Sequence, residues 1–245
     1  MVRRMDISRL VHEAWPAFDQ QVHDGWVLRY ADGVTDRANS VYARSAPANL
    51  DEAVERAEKF YADRGLPAVF MVTDSALDRE LERRGYRTGR PVLAMTAALQ
   101  AAPVSRDVRI ADEPWDGWMR SWWAVDGRYD GKLAAARRIL TGAPAWYAAV
   151  EEDGAALAVG RGVPQGETLG IYCLATLPAA RRRGLAREVV RALVRRAVQE
   201  GLSSAYLVVT ETNEGARRLY RSEGFEVAGG YHYRVGNSTT RRHLS

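Results

Sequence analysis

The 245-residue chain has little cysteine, little lysine and no long apolar run. Its single cysteine, Cys173, excludes a disulfide framework within the chain and any cysteine-based metal cluster, and fits a reducing, cytoplasmic setting. No apolar stretch approaches the ~20 residues that span a bilayer, so no membrane association is expected. The opening residues MVRRMDISRL lack the apolar segment of a secretory signal. The four histidines (His12, His23, His232 and His243) have no metal-ligand spacing, and no metal is expected. The only lysines are Lys59 and Lys132, so the net charge of +4 is carried by arginine. What is present is ordinary for a globular protein: 47% hydrophobic and 27% charged residues.

Periodicity predicts alternating helices and strands, an α/β or α+β chain. A helix is expected over 8–22, with Pro16 able to bend or interrupt it, followed by strands at 26–30 and 40–45. Asn49 and Asp51 can cap a helix ending near Gly65; a strand at 68–72, a helix at 76–84 and a strand at 91–97 follow. Residues 98–106 read as a linker between a first domain, 1–100, and a second, 105–235. The second is expected to hold a short strand at 108–110, helices at 114–125 and 130–141, and a hairpin turning at Asp153-Gly154. After these come a strand at 167–176, an amphipathic helix at 185–200, a strand at 205–209, a helix at 214–222 and one or two strands in 226–235. The polar end, 236–245, reads as a disordered tail.

The two halves repeat an order of parts. SVYARSAPANLDEAVERAEKFYADRGLPAVFMVT precedes LDRELERRGY, and GIYCLATLPAARRRGLAREVVRALVRRAVQEGLSSAYLVVT precedes ARRLYRSEGF. Each reads strand, proline-containing loop, helix ending in Gly-Leu, apolar strand ending in Thr, helix, Gly-aromatic. The alternative is convergence on a common strand–helix–strand pattern. The second copy has Arg181-Arg182-Arg183-Gly184 where the first has Ala48-Asn49-Leu50-Asp51, and Tyr220 where the first has Leu81.

The arginine loop leads into a helix, whose first N–H groups are unpaired and partially positive. Such a terminus binds phosphate. Gly184 and the small Ala186 allow close approach of an anion, and the arginines add charge-assisted contacts. The spacing is neither that of a P-loop nor Gly-x-Gly-x-x-Gly. A solvated arginine run before an ordinary helix is the competing reading of the loop alone.

Arg181-x-x-Gly184-x-Ala186 resembles the acyl-CoA pyrophosphate loop of the GNAT superfamily. About 27 residues on, Asn213-x-x-Ala216-x-x-Leu219-Tyr220-x-x-x-Gly224-Phe225 resembles that superfamily's second signature. Ala14-Trp15-Pro16, Asp24-Gly25-Trp26-Val27-Leu28-Arg29, Arg37-Ala38-Asn39-Ser40-Val41 and Tyr231-His232-Tyr233-Arg234 are similar to bacterial tandem GNAT proteins with a degenerate N-terminal half. The resemblance implies a GNAT fold, a mixed central sheet flanked by helices, preceded by a degenerate GNAT-like half. It implies acetyl-CoA as acyl donor and direct attack by a small-molecule amine in a ternary complex, in a monomer or homodimer.

The resemblance also assigns roles. The strand residues Cys173, Leu174, Ala175 and Thr176 would hold the pantetheine, with the Leu174 N–H polarising the carbonyl. Arg181, Arg182, Arg183, Gly184, Leu185, Ala186 and Arg187 would hold the pyrophosphate. Asn213 and Ala216 would lie near the pantetheine, and Tyr220 would be the general acid. Its competing reading is a packed aromatic. Many relatives place a glutamate base fourteen residues before the loop glycine, where this chain has Gly170. Glu167, Tyr172 and His232 are the candidate bases, with water as the other possibility. Cys173, beside no paired histidine, reads as a small apolar residue rather than a nucleophile. Trp115, Trp118, Trp122 and Trp123 either line the acceptor site or pack the halves together. Two alternatives remain: a GNAT-fold transferase with aminoacyl-tRNA as donor, though no extended basic stripe suits nucleic acid, and a non-enzymatic acyl-CoA-binding protein.

Overall fold

The structure is a computed structural model that describes residues 6–237; most of the tail expected to be disordered, 238–245, lies outside the described residues. The chain begins α1 (Ile7–Ala14), β1 (Asp19–His23), β2 (Trp26–Tyr30), β3 (Val41–Ala43), α2 (Leu50–Ala62), β4 (Val69–Val72), α3 (Ser75–Arg83) and β5 (Arg87–Thr88). It continues β6 (Val92–Ala98), β7 (Arg109–Ala111), α4 (Asp116–Asp126), α5 (Leu133–Leu140), β8 (Trp146–Glu152), β9 (Ala155–Gln165) and β10 (Thr168–Thr176). After a 3-10 turn come α6 (Leu185–Gln199), β11 (Ser204–Thr210), α7 (Glu214–Ser222) and β12 (Glu226–Val235).

The helix expected over 8–22 stops at Ala14. Pro16 lacks the N–H that another turn would need and displaces the residue before it from helical geometry. Residues 19–23 instead pair antiparallel with 26–30 across Asp24-Gly25, whose φ values of +46 and +77 suit a tight hairpin.

Packing divides the described residues into two units, 6–92 with 230–237, and 93–229. The first has the sheet order β1-β2-β3-β4-β12, with β5 also on β12. β3 and β4 are parallel, and α2 makes the crossover between them. α2 buries Val54, Ala57, Phe60 and Tyr61 with Trp26, Leu28, Val41, Phe70 and Val72 of the sheet. The second unit has the order β6-β11-β10-β9-β8-β7; β10 and β11 are parallel, joined through α6, and β7, β8, β9 and β10 pair antiparallel in turn. α6 buries Leu185, Val189, Val190, Leu193 and Ala197 with Leu169, Ile171 and Leu207. Full burial of each larger side chain contributes roughly 1.5–3 kcal/mol. On α4, Trp118 is buried against the sheet and its indole N–H donates to the Ala148 and Gly160 carbonyls at 3.1 and 3.2 Å.

The boundary expected near 100–105 is displaced at both ends. Leu93, Ala97 and Leu99 pack into the second core, and the Leu99 N–H donates to Ser203 O at 2.9 Å. Residues 232–235 pair with 69–72 in the first unit. Each unit thus completes its sheet with a strand from the other part of the sequence.

Candidate functional site

β10 and β11 pair in register only from Thr168–Ile171 against Ser204–Leu207, although they run on to Thr176 and Thr210. Their carboxyl ends part there, the place where open α/β sheets take ligands. On its other side β10 pairs with β9, but the register shifts between Tyr172 and Ala175. Cys173 causes the shift. Its φ of +53 is rare for a residue with a Cβ and marks a bulge that turns backbone groups out of the ladder. Cys173, Leu174 and Thr176 are half-buried, and Ala175 is buried.

The strand leads through Leu177–Ala180 to the arginine loop. Arg182 and Gly184 have φ values of +66 and +78. The alternation turns the N–H groups of residues 182–186 out at the start of α6. None of the five meets a protein acceptor among the described residues; the next two, of Arg187 and Glu188, go to Gly184 O. Nothing lies within 4 Å of where a Gly184 Cβ would sit. The three arginines differ. Arg183 donates to both Glu152 oxygens at 2.6 Å, and Glu152 also meets Arg106 at 3.3 Å. Arg181 donates to Thr176 O at 3.3 Å. Arg182 is exposed and has no ion pair among the described residues. Five unclaimed donors, open space and one uncommitted guanidinium fit a pyrophosphate.

Asn213 caps α7, its Oδ1 accepting from Ala216 N–H at 3.1 Å, which leaves its amide NH2 for another partner. Tyr220 is 7% exposed, with its ring against Phe225. Its hydroxyl has no hydrogen bond among the described residues, and burial alone pushes its pKa up. Glu223 locks α7 to α6 by accepting from Arg187 at 2.9 Å and Arg191 at 2.7 Å. Sequence reasoning missed this clamp, whose signal is two arginines at i,i+4 on one helix face.

The candidate bases separate. Glu167 precedes β10, six residues from Cys173, so about 20 Å of extended chain lies between it and the bulge. His232 belongs to the first unit, where its Nε2 and Arg234 Nε each meet Asp78 Oδ1 at 2.7 Å. The hydrogen bond from Arg234 is the chief reason the Asp78 carboxyl is held below its ordinary range. Glu167 does not join the bulge and loop. Tyr172 does: it is the last residue before the bulge and hydrogen-bonds Tyr206. The two rings also account for Gly170. A Cβ there would come 2.8 Å from Tyr206 Oη and 2.9 Å from Tyr172 Cε2. The two tyrosine rings fill the space beside Gly170.

Of the four tryptophans, Trp118 and Trp122 are buried within the second unit, with ring centroids 6.0 Å apart. Trp115 donates to Glu151 at 2.8 Å and lies under the Arg109 guanidinium. No helix among the described residues is long and apolar enough to cross a membrane.

Comparison with known proteins adds an independent line. A family described as "Probable histone acetyltransferase Rv0428c C-terminal" matches residues 5–234. The chain is 26% identical over 242 residues to YobR of Bacillus subtilis strain 168, named an uncharacterized N-acetyltransferase, covering 94% of this chain and 97% of that one. Among solved structures, a GCN5-related N-acetyltransferase from Kribbella flavida superposes with a TM-score of 0.67 at 18% identity, over 90% of each chain. A tandem GNAT protein from the clavulanic acid biosynthesis pathway gives 0.62 at 10% identity, over 81% of this chain and 73% of that one. At such identities the structures share the fold, while the family match spans nearly the whole sequence. The chain belongs to the GNAT N-acetyltransferases, in the family of the Rv0428c C-terminal region.

Proposed function

We propose that the chain transfers the acetyl group of acetyl-CoA to a primary amine of a small molecule, by direct attack with donor and acceptor bound together. The observation that carries this reading is the run of five N–H groups at residues 182–186 with no acceptor among the described residues, set where β10 and β11 part. Acetyl-CoA supplies an acyl group activated as a thioester. Arg182 and the N–H groups of residues 182–186 hold its phosphates, and the parted edge of β10 receives the pantetheine as an added strand. The Leu174 N–H, next to the bulge, polarises the carbonyl. Asn213 reaches the pantetheine through its free amide, and Ala216 keeps that side of α7 small. Tyr220 holds the proton that the departing sulfur needs.

The first unit is a degenerate copy. β3, α2, β4 and α3 repeat the order of β10, α6, β11 and α7. In the copy, Asn49 Oδ1 takes the N–H groups of Asp51 and Glu52. Those two carboxylates stand where a phosphate would bind, so α2 repels an anion.

Calorimetry with acetyl-CoA, followed by thiol release across a panel of amines, tests the reading. Binding plus amine-dependent thiol release is expected. Absence of binding sinks it; tight binding without turnover on any amine replaces it with a non-enzymatic acyl-CoA-binding role.

A further inference from the structure

Two carboxylates stand beside the arginine loop, where negative charge repels a phosphate. Glu188 lies in the first turn of α6 and is 8% exposed. Glu152 ends β8. Burial raises the Glu188 pKa, but hydrogen bonds from Ser105 and Arg106 outweigh it and hold the carboxyl below its ordinary range. The hydrogen bond from Arg183 is the chief reason Glu152 is held low as well. Both are therefore ionised at neutral pH.

What they hold explains their presence. Glu188 Oε2 accepts the N–H groups of Ser105 and Arg106 at 2.7 and 3.3 Å, and its Oε1 accepts from Ser105 Oγ at 3.0 Å. The Arg106 side chain donates to Glu152 at 3.3 Å, and Arg183 donates to both Glu152 oxygens at 2.6 Å. From Arg183 the chain returns through Gly184 and Leu185 to Glu188. The contacts close a ring: α6, residues 105–106, the end of β8 and the arginine loop. Arg191, about a turn further along α6, adds a tie to Pro103 O at 3.4 Å. Next to the ring is Arg182, whose φ of +66 is unfavourable for a residue with a Cβ and persists only where the surroundings fix it.

Resting on the acetyltransferase reading, we infer that Glu188, Arg106 and Glu152 are positioning residues that hold the loop in the shape that receives the acetyl-CoA pyrophosphate. They act on the donor through the backbone of residues 182–184, so the segment between β6 and β7 shapes the donor site. Charge and position make opposite predictions. As charges alone, the two carboxylates repel the phosphates, and removing either tightens binding. As members of the ring they pre-organise the loop, and removing either loosens binding.

Calorimetry with acetyl-CoA decides the sign. Glu188→Leu is expected to raise Kd about tenfold, and Glu152→Gln about threefold because its contacts are partly exposed. In both, kcat at saturating acetyl-CoA stays within about twofold of wild type. Glu188→Gln keeps near-wild-type affinity, because its amide oxygen accepts the two N–H groups and its NH2 donates to Ser105 Oγ. In the free protein, nitrogen relaxation of the 182–184 amides gives order parameters of about 0.85 for wild type and lower values for the two loosening variants. Glu152 lies at the surface, which makes its variant the one that folds if Glu188→Leu does not. Tighter or unchanged acetyl-CoA binding in a folded loosening variant, or unchanged order parameters, overturns the inference. Failure of wild type to bind acetyl-CoA overturns the acetyltransferase reading instead, and the order parameters, measured without ligand, separate the two failures.

Discussion

Tyr220 combines a buried ring with a hydroxyl that has no hydrogen bond among the described residues. Burial raises its pKa above the ordinary 10, so the phenol stays protonated through the neutral range, as a proton donor must. Tyr220→Phe is expected to lower kcat by about tenfold or more while leaving acetyl-CoA affinity in place; undiminished turnover removes the residue from the chemistry. A different titration acts on stability. His12 hydrogen-bonds Arg29 at 3.3 Å, and burial first, then the charges of Arg29 and Arg44, lower its pKa from 6.5 to about 4. In that window the unfolded chain takes up a proton that the folded chain refuses. The contribution of His12 is therefore full above pH 6.5 and is lost progressively as the pH falls toward 4. Urea midpoints measured across this range should fall for wild type and fall less for His12→Gln.

At the scale of elements, the site is a strand with a bulge, a loop with two left-handed residues, and two clamped helices. Gly184→Glu should abolish acetyl-CoA binding by calorimetry, because it fills the open space and sets a negative charge before the helix N-terminus. The backbone penalty at φ +78 is roughly 1–2 kcal/mol, so a cooperative melt should persist. Loss of binding without loss of fold is the expected pair of results, and retained affinity removes the loop from the phosphate role. The helices that follow the arginine loop and carry Tyr220 were legible in the sequence because their apolar positions, glycines and caps stand at regular spacings within contiguous segments. The Cys173 bulge was not, since a bulge breaks the two-residue alternation on which strand reading depends. The meeting of Tyr172 and Tyr206 was hidden for another reason: they lie 34 residues apart and come together through the pairing of β10 with β11. The expected helix over 8–22 failed locally, where Pro16 outweighed a helical hydrophobic pattern.

For the whole molecule, the order of elements was readable and the division into units was not. Periodicity reports what a segment forms, not which sheet it joins. β6 follows the first unit's helices yet lies in the second unit's sheet, and residues 230–235 do the reverse. A cut in the 98–106 linker therefore leaves each fragment one strand short. Fragments 1–100 and 105–245, made separately, are expected to lack a cooperative thermal transition; a sharp melt of either alone would show that its sheet closes without the missing strand. The same arrangement governs the order of events during synthesis. When β4 leaves the ribosome its partner in β12 has not yet been translated, because the whole 93–229 segment comes between them. Until then the backbone edge of Val69–Val72 is open, an apolar strand of the kind that recruits other chains. Chaperone demand and aggregation should therefore concentrate on nascent chains that have passed the first unit and not yet reached Tyr231.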